Sequence, residues 1–380
     1  MKYNFIILVI SILFLKSCEN SNDVNYKTTK NVDHSTTIRK SIELLKTDAR
    51  QNKIDDYFSR KYKRKQFNGN ILFAENGKII SHKSYGYANL KTKEKLTENH
   101  SFQLASVSKP FTSVAILQLI ENGQINLNDT LQKFFPNFPY EGITIHQLLC
   151  HRSGLSQYTH FCDAPDSIWP DKSKTINNQD VIDIISKINP LINYPPDRRY
   201  YYCNTNYLLL ASIVKKISGI EFKQYLKENI FSPIDMNNSI VYDRTNFNDL
   251  IMPTQGYENR TPWEDVYLNG VVGDKGVYST TMDLLKFDRA LEKNLLINDS
   301  LKKLAFSKKN KDYNRNKNYG YGFRLKEHNK YGKIVYHTGW WKGYRSYYIK
   351  VLKKDQTIII LNNVKRGRFL NIDKLIDLIN

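Results

Sequence analysis

The chain has 380 residues, 41% of them apolar, with 26 tyrosines and 18 phenylalanines. That stock of core-forming side chains excludes wholesale disorder, and the length suits one large domain or two intimate ones. A net charge of +20 favours anionic surroundings, but the basic residues are dispersed and no nucleic-acid-binding module accompanies them, so nucleic acid is not expected as a partner.

The N-terminus reads as an export signal. Lys2 gives it a positive start, and residues 5–15 are an almost unbroken apolar run. As a helix, that run reaches only about half of the roughly 30 Å hydrocarbon core, which suits a signal and not a membrane span. Leu15-Lys16-Ser17-Cys18 then resembles the lipobox of bacterial lipoproteins. Residues 1–17 are therefore expected to be removed. Cys18 would become a lipidated first residue, anchoring the protein to a membrane and facing the periplasm or cell surface, with residues 18–35 as a flexible tether.

Residues 35–67 have helical spacing, with Ile38, Ile42, Leu45, Ile54 and Phe58 on one side and the basic run 60–65 on the exposed side. Residues 70–88 read as a hairpin turning at Asn76-Gly77. Helical patterns dominate next, at 112–122, 179–187, 207–218 and 221–230, with prolines clustered between them. A helix is expected at 281–291, strands at 320–326, 333–338, 345–352 and 356–361, and a closing amphipathic helix at 369–379. Strands at both ends with helices between predict an α/β (α+β) domain over 36–380: a mixed sheet part from 36–100 and 270–380, and a helical part, 101–269, inserted in its middle. Besides Cys18 there are three cysteines, Cys150, Cys162 and Cys203. At most one disulfide fits, Cys150 and Cys162 being nearest in sequence; three buried thiols are the expected state.

Chemistry is first suggested by Ser106-Val107-Ser108-Lys109. Ser-x-x-Lys alone says little, because it recurs at Ser212/Lys215 and Ser300/Lys303, about as often as chance allows. Context separates the three. Ser212 lies inside an apolar helix, and Ser300 reads as a helix cap in a polar basic stretch. Ser106 precedes a strongly amphipathic helix and lies four residues before Pro110, so a helix start, with its free amides and favourable dipole, lies close by. A serine hydroxyl needs a base. Lys109, one turn on, shares its face, and a lysine serves only when neutral. Tyr202, followed by Cys203 and Asn204, is the candidate tyrosine to share the proton transfer.

Five segments stand in one order: QLASVSKPFTSVAILQLIENGQINLNDTLQKFFP, ITIHQLLCHRSGL, YYCNTNYLLLASIVKKISGIEF, GDKGVYSTTMDLLKF and HTGWWKGYRS. Together they resemble the serine β-lactamase and penicillin-binding protein superfamily in its class C-like branch, over about residues 50–365. The resemblance implies a β-lactamase-like fold, with an antiparallel sheet flanked by helices and an inserted all-helical domain. It implies Ser106 as nucleophile, Lys109 as its partner, Tyr202 as acid/base and Asn204 as the residue that holds the substrate's amide side chain. Where the family has Lys-Thr-Gly, this chain has His337-Thr338-Gly339. The backbone N–H groups of Ser106 and Trp340 would form the oxyanion hole.

The resemblance implies a serine hydrolase forming an acyl-enzyme with a small-molecule or peptide substrate: D-amino-acid peptides (cell-wall peptide among them), esters or β-lactams. The alternative is a penicillin-recognising sensor or scaffold without efficient turnover. Because His337 is not a permanent cation and would instead hydrogen-bond Tyr202, peptidase or esterase activity is expected to exceed β-lactamase activity. Trp340 and Trp341 could wall the cleft or merely pack. His146, His151 and His160 lack metal-ligand spacing, and neither a metal nor a cofactor is expected.

Overall fold

The computed structural model describes residues 32–162, 168–169, 171–311 and 316–380. The export signal and Cys18 lie outside the described residues.

The frame is an eight-stranded sheet. Its strands in chain order are β1 (Glu43–Leu44), β2 (Gly69–Glu75), β3 (Lys78–Tyr85), β4 (Lys317–Tyr319), β5 (Arg324–His328), β6 (Gly332–Trp341), β7 (Tyr344–Val351) and β8 (Gln356–Asn362). Their order across the sheet is β1-β3-β2-β8-β7-β6-β5-β4. Every pairing is antiparallel except β1 with β3. The N-terminal hairpin thus docks on the C-terminal strands through β2 and β8, Gly69 opposite Asn362 and Glu75 opposite Gln356. Asn76 and Gly77 both take positive φ, 52° and 75°, as the two-residue turn between β2 and β3 demands.

Alternation along the strands builds two cores. Ile358 and Ile360 of β8, with Ile71 and Phe73 of β2, face one side; Ile359 and Leu361, with Leu72 and Ala74, face the other. Among the described residues, helices of six or more residues are α1 (Ser35–Lys40), α2 (Ala49–Lys63), α3 (Lys109–Glu121), α4 (Asn178–Ile188), α5 (Thr205–Ser218), α6 (Thr281–Glu292), α7 (Asp299–Ala305) and α8 (Ile372–Ile379). Helices α2 and α8 cover the first face, with Ile54, Phe58, Leu375 and Ile376 in that core. The second face meets α6 and, beyond it, the helical body containing α3 and α5.

Four expectations change. Residues 35–67 are not one helix: the chain leaves α1 at Ser41, pairs β1 beside β3, and restarts at Asp48, whose carboxylate caps α2 by accepting from Arg50 N at 2.8 Å. A strand pairing and a cap override the spacing. Helix α3 is not amphipathic: Lys109 to Leu117 and Leu119 are all buried. Phe111 stacks between Phe231 and Phe287, with ring centroids 5.5 and 4.2 Å away. A helix apolar all round is central. Residues 320–326 do not form one strand, since Gly320 N bonds Phe323 O at 2.8 Å and Gly322 has φ 83°. This turn presses on α3, where Ser113 Oγ donates to Tyr321 O at 2.8 Å. Finally, Asn298 caps α7, accepting from Leu301 N at 2.9 Å, while Ser300 is inside the helix. Cys150, Cys162 and Cys203 are buried free thiols.

Candidate active site

The segment before α3 is held from both sides. Leu104 N donates to Val277 O at 2.8 Å, and Leu104 O accepts from Ser346 Oγ of β7. Ala105 then adopts φ 50°, a left-handed conformation that a side chain rarely takes. It starts a tight 3₁₀ turn, Ala105–Ser108, that runs into α3. This strained corner aims Ser106 outward: from Ser101 to Phe111, Ser106 alone is not buried. The turn's first helical bond runs from Val107 N to Leu104 O, so Ser106 N–H precedes the bonded amides.

Lys109 has no exposed surface, and its ammonium donates to three oxygens: Ser106 Oγ at 3.1 Å, Asn204 Oδ1 at 2.8 Å and the Asp274 carbonyl at 2.8 Å. Its partners come from the Ala105–Ser108 turn, the start of α5 and the segment Gly273–Gly276. With Oδ1 held by Lys109, the Nδ2 end of Asn204 remains to meet a ligand. The Gln157 side chain fixes the backbone here, donating to Tyr202 O at 2.7 Å and accepting from Asn204 N at 2.8 Å. Cys203, between them, is fully buried, as expected of a bystander, and its N–H donates to His151 Nδ1 at 3.1 Å.

Tyr202 lies between two cations. Lys109 Nζ is 5.0 Å from its ring centroid, and the Arg324 guanidinium carbon is 4.8 Å away. Tyr202 Oη is buried and has no hydrogen-bond partner among the described residues. His337 does not bond Tyr202. Its Nδ1 faces the Thr338 carbonyl at 2.9 Å, so Nδ1 carries the proton, and Nε2 accepts from Tyr319 Oη at 3.0 Å. Burial, reinforced by Arg324 and then Lys109, pushes the His337 imidazole well below its ordinary pKa, so it is neutral at physiological pH. The triplet therefore brings no charge, but Arg324 on the neighbouring strand does. Among the described residues Arg324 has no carboxylate partner, and its Nε is buried without a hydrogen bond.

Beyond His337, strand β6 runs past the Ala105–Ser108 turn. A Cβ on Gly339 would stand 2.2 Å from Leu104 O and 3.1 Å from Ala105 Cβ, so only glycine permits this approach. Lys342 and Gly343 form the two-residue turn from β6 to β7, which makes Trp341 with Tyr344 the closing hydrogen-bonded pair. Trp340 opposite Arg345 is then a non-bonded pair, and its N–H points away from β7. On that side β5 stops pairing at Tyr336. The Trp340 amide thus faces an open strand edge, one residue beyond the glycine that touches the Ala105–Ser108 turn. Trp340's ring is 51% exposed, while Trp341 is half-buried and donates to Asn269 Oδ1 at 2.7 Å. Thr338 is half-buried.

The structure thus gathers Ser106, Lys109, Tyr202, Asn204, His337, Thr338, Gly339 and Trp340 into one region. Ser212 instead donates to Leu208 O at 2.9 Å within α5. Gln157, Arg324 and Tyr319 were not foreseen. Gln157 and Arg324 carry no local pattern, and only the pairing of β5 with β6 brings Arg324 opposite Tyr336, next to the triplet. His146 is bonded to Tyr321 Oη at 2.6 Å, and among the described residues no three His, Cys, Asp or Glu side chains gather as metal ligands.

A family model described as Beta-lactamase matches residues 54–378. The chain is 36% identical over 315 residues to penicillin-binding protein 4* of Bacillus subtilis (strain 168), covering 78% of this chain and 68% of that relative. It is 29% identical over 354 residues to the putative penicillin-binding protein PbpX of the same organism, covering 90% and 82%. Among solved structures, the fold is similar to the D-amino acid amidase of Ochrobactrum anthropi SV3 complexed with D-phenylalanine, with TM-score 0.73, 22% identity, and 87% and 98% of the two chains covered. It is similar also to FmtA of Staphylococcus aureus, with TM-score 0.72, 22% identity, and 91% and 94% covered.

Proposed function

Since the chain belongs to the beta-lactamase family, a family of serine hydrolases, we propose that it works through an acyl-enzyme on Ser106, cleaving D-amino-acid peptides, esters or β-lactams. The observation that carries this reading is the three-way hold on Lys109, which ties the Ser106 hydroxyl to Asn204 and to the Asp274 carbonyl. Ser106 Oγ attacks the substrate carbonyl and gives up its proton to the Lys109–Tyr202 pair, which takes it with Lys109 as the neutral amine or Tyr202 as the phenolate. The carbonyl oxygen, now negative, rests between the N–H groups of Ser106 and Trp340. Tyr202, with an unpartnered buried hydroxyl, returns the proton to the leaving group, and water then releases the acyl group. Asn204 Nδ2 meets the amide on the acyl side. Arg324, lacking a carboxylate of its own, receives one from the substrate, a group that free-ended peptides and penicillins both carry. The names of the relatives, penicillin-binding protein and D-amino acid amidase, agree with acyl transfer from penicillin-type or D-amino-acid substrates.

From the short apolar run that ends at Ser17-Cys18, we propose also that the protein is held outside the cytoplasm on a lipidated Cys18, within reach of cell-wall peptide. The test is labelling with a fluorescent penicillin and with a fluorophosphonate. The natural protein, Ser212→Ala and Ser300→Ala should label with both probes while Ser106→Ala does not, and the natural protein should turn over a D-Ala-D-Ala peptide, a short p-nitrophenyl ester or the penicillin. Full labelling of Ser106→Ala overturns the assignment, and a protein that labels at Ser106 but turns over none of the peptide, the ester and the penicillin would be a sensor.

A further inference from the structure

A second polar cluster lies behind Lys109 and takes no part in the steps above. Gly273 and Gly276, with φ 103° and 101°, bracket Asp274 and Lys275. A Cβ on Gly273 would stand 2.3 Å from Tyr207 O and 2.6 Å from Ala211 Cβ, so the segment runs hard against α5. On its other side Thr112 Oγ1 of α3 donates to Gly273 O at 2.7 Å, and Lys109 donates to the next carbonyl, that of Asp274.

Asp274 and Lys275 are each 3% exposed, and the side chains of both meet Tyr158. Lys275 Nζ donates to Tyr158 Oη at 2.7 Å and to Val271 O at 2.9 Å; Tyr158 Oη donates to Asp274 Oδ2 at 3.1 Å. Lys275 Nζ also lies 3.7 Å from Asp274 Oδ1, which has no hydrogen bond, and 5.2 Å from the Trp341 ring centroid. One buried ammonium thus touches both the residue whose carbonyl holds Lys109 and the residue that follows the Trp340 amide. Burying a lysine and an aspartate side by side has a desolvation cost that an apolar pair would not, so packing alone does not account for them.

We infer that Lys275, clasped by Tyr158 and Asp274, is a positioning residue that sets the Asp274 carbonyl for Lys109 and braces Trp341 behind the oxyanion amide. The inference rests on the acyl-enzyme reading of Ser106. The groups facing the ammonium are Asp274, Tyr158, the Lys109 cation, the Cys162 thiol and the Trp341 ring. Desolvation, outweighing the attraction of Asp274, lowers the Lys275 pKa to about 8. Lys275 is therefore protonated below that pH and loses its proton above it, when its attraction to Asp274 goes and its bonds to Tyr158 and the Val271 carbonyl lose the strength that the charge gave them. Acylation should fall with the clasp.

The experiment measures the rate of Ser106 phosphonylation by a fluorophosphonate, which draws on the same activation of Oγ as acylation and releases fluoride, at saturating and subsaturating probe, from about pH 6 to 10 in the full chain. The natural protein should slow as pH rises through about 8. Misplacing a catalytic group by about 1 Å costs on the order of 10²-fold, so Lys275→Met, folded by circular dichroism, should acylate roughly 10- to 100-fold more slowly at saturation. Its half-saturating probe concentration should be little changed and its alkaline fall gone. Tyr158→Phe removes one oxygen and keeps the lysine. Because that oxygen accepts from the charged form, its loss should move the alkaline fall to lower pH. Either folded variant keeping both the natural rate and the natural pH profile overturns the inference; if Lys275→Met does not fold, Tyr158→Phe decides. A natural protein that never labels at Ser106 refutes the acyl-enzyme reading instead.

Discussion

Replacing Arg324 with glutamine separates its two proposed jobs. The guanidinium carbon stands 4.8 Å from the centre of the Tyr202 ring. At an effective dielectric near 20, a full negative charge there would be stabilised by about 3.5 kcal/mol, and the partial charge of a proton in flight by about half as much. Arg324→Gln should therefore slow acylation roughly 10- to 20-fold for every substrate. A charge-assisted hydrogen bond to a substrate carboxylate contributes about 1.5–3 kcal/mol more, so carboxylate-bearing substrates should lose a further tenfold or more in kcat/KM. The assay compares a D-Ala-D-Ala peptide and nitrocefin, both carboxylates, with a short p-nitrophenyl ester that has none; Arg324→Lys, which keeps the charge, serves as control. Equal losses for all three, within twofold, would remove the carboxylate role, and no loss for any would remove the electrostatic role as well.

Tyr202→Phe deletes only an unpartnered hydroxyl, so it should leave the melting temperature nearly unchanged while turnover falls about 10²–10⁴-fold; a loss under roughly threefold would assign the proton transfer to Lys109 or water. Gly339→Ala puts a methyl 2.2 Å from Leu104 O, and should push β6 off the nucleophile turn, with acylation at least about tenfold slower; a natural rate would show that the two segments part easily. Mass spectrometry of membrane-extracted protein should find the mature chain beginning at an acylated Cys18, and a form cut elsewhere and free of lipid would contradict the anchor.

Much of the site was legible because its pieces are local. Ser106 and Lys109 are one turn apart, Tyr202 and Asn204 two residues apart, and the hairpin at Asn76-Gly77 follows from the conformations those residues accept. The missed parts depend on pairing and burial. Arg324 reaches Tyr202 only because β5 lies beside β6, and no spacing along the chain reports that. For the same reason the view that a neutral His337 leaves the site without a nearby fixed cation does not hold. A ranking of β-lactams below peptides and esters can no longer be argued from charge. The apolar run of α3 reads as one-sided only if one face meets solvent, whereas α5, α6 and the Gly320–Phe323 turn together bury Lys109 to Leu117 on every side. Residues 35–67 kept helical spacing across a break because Ile38 and Ile54 both happen to be buried, in different cores.

The hold on Lys109 has a consequence for the life of the molecule. Its three partners lie on segments far apart in the chain, one before α3, one at the start of α5 and one beside Gly276. A nascent or half-unfolded chain possesses the serine and the lysine but not the arrangement that arms them. Such a chain is chemically quiet, so it can be synthesised and moved without attacking esters or lactams on the way. Reactivity toward an acylating probe is correspondingly a report on tertiary completeness: it should switch on late in refolding, with the closing of the helical body onto the sheet, and not with the earlier appearance of helix. For this protein the first labelled molecule marks the end of folding.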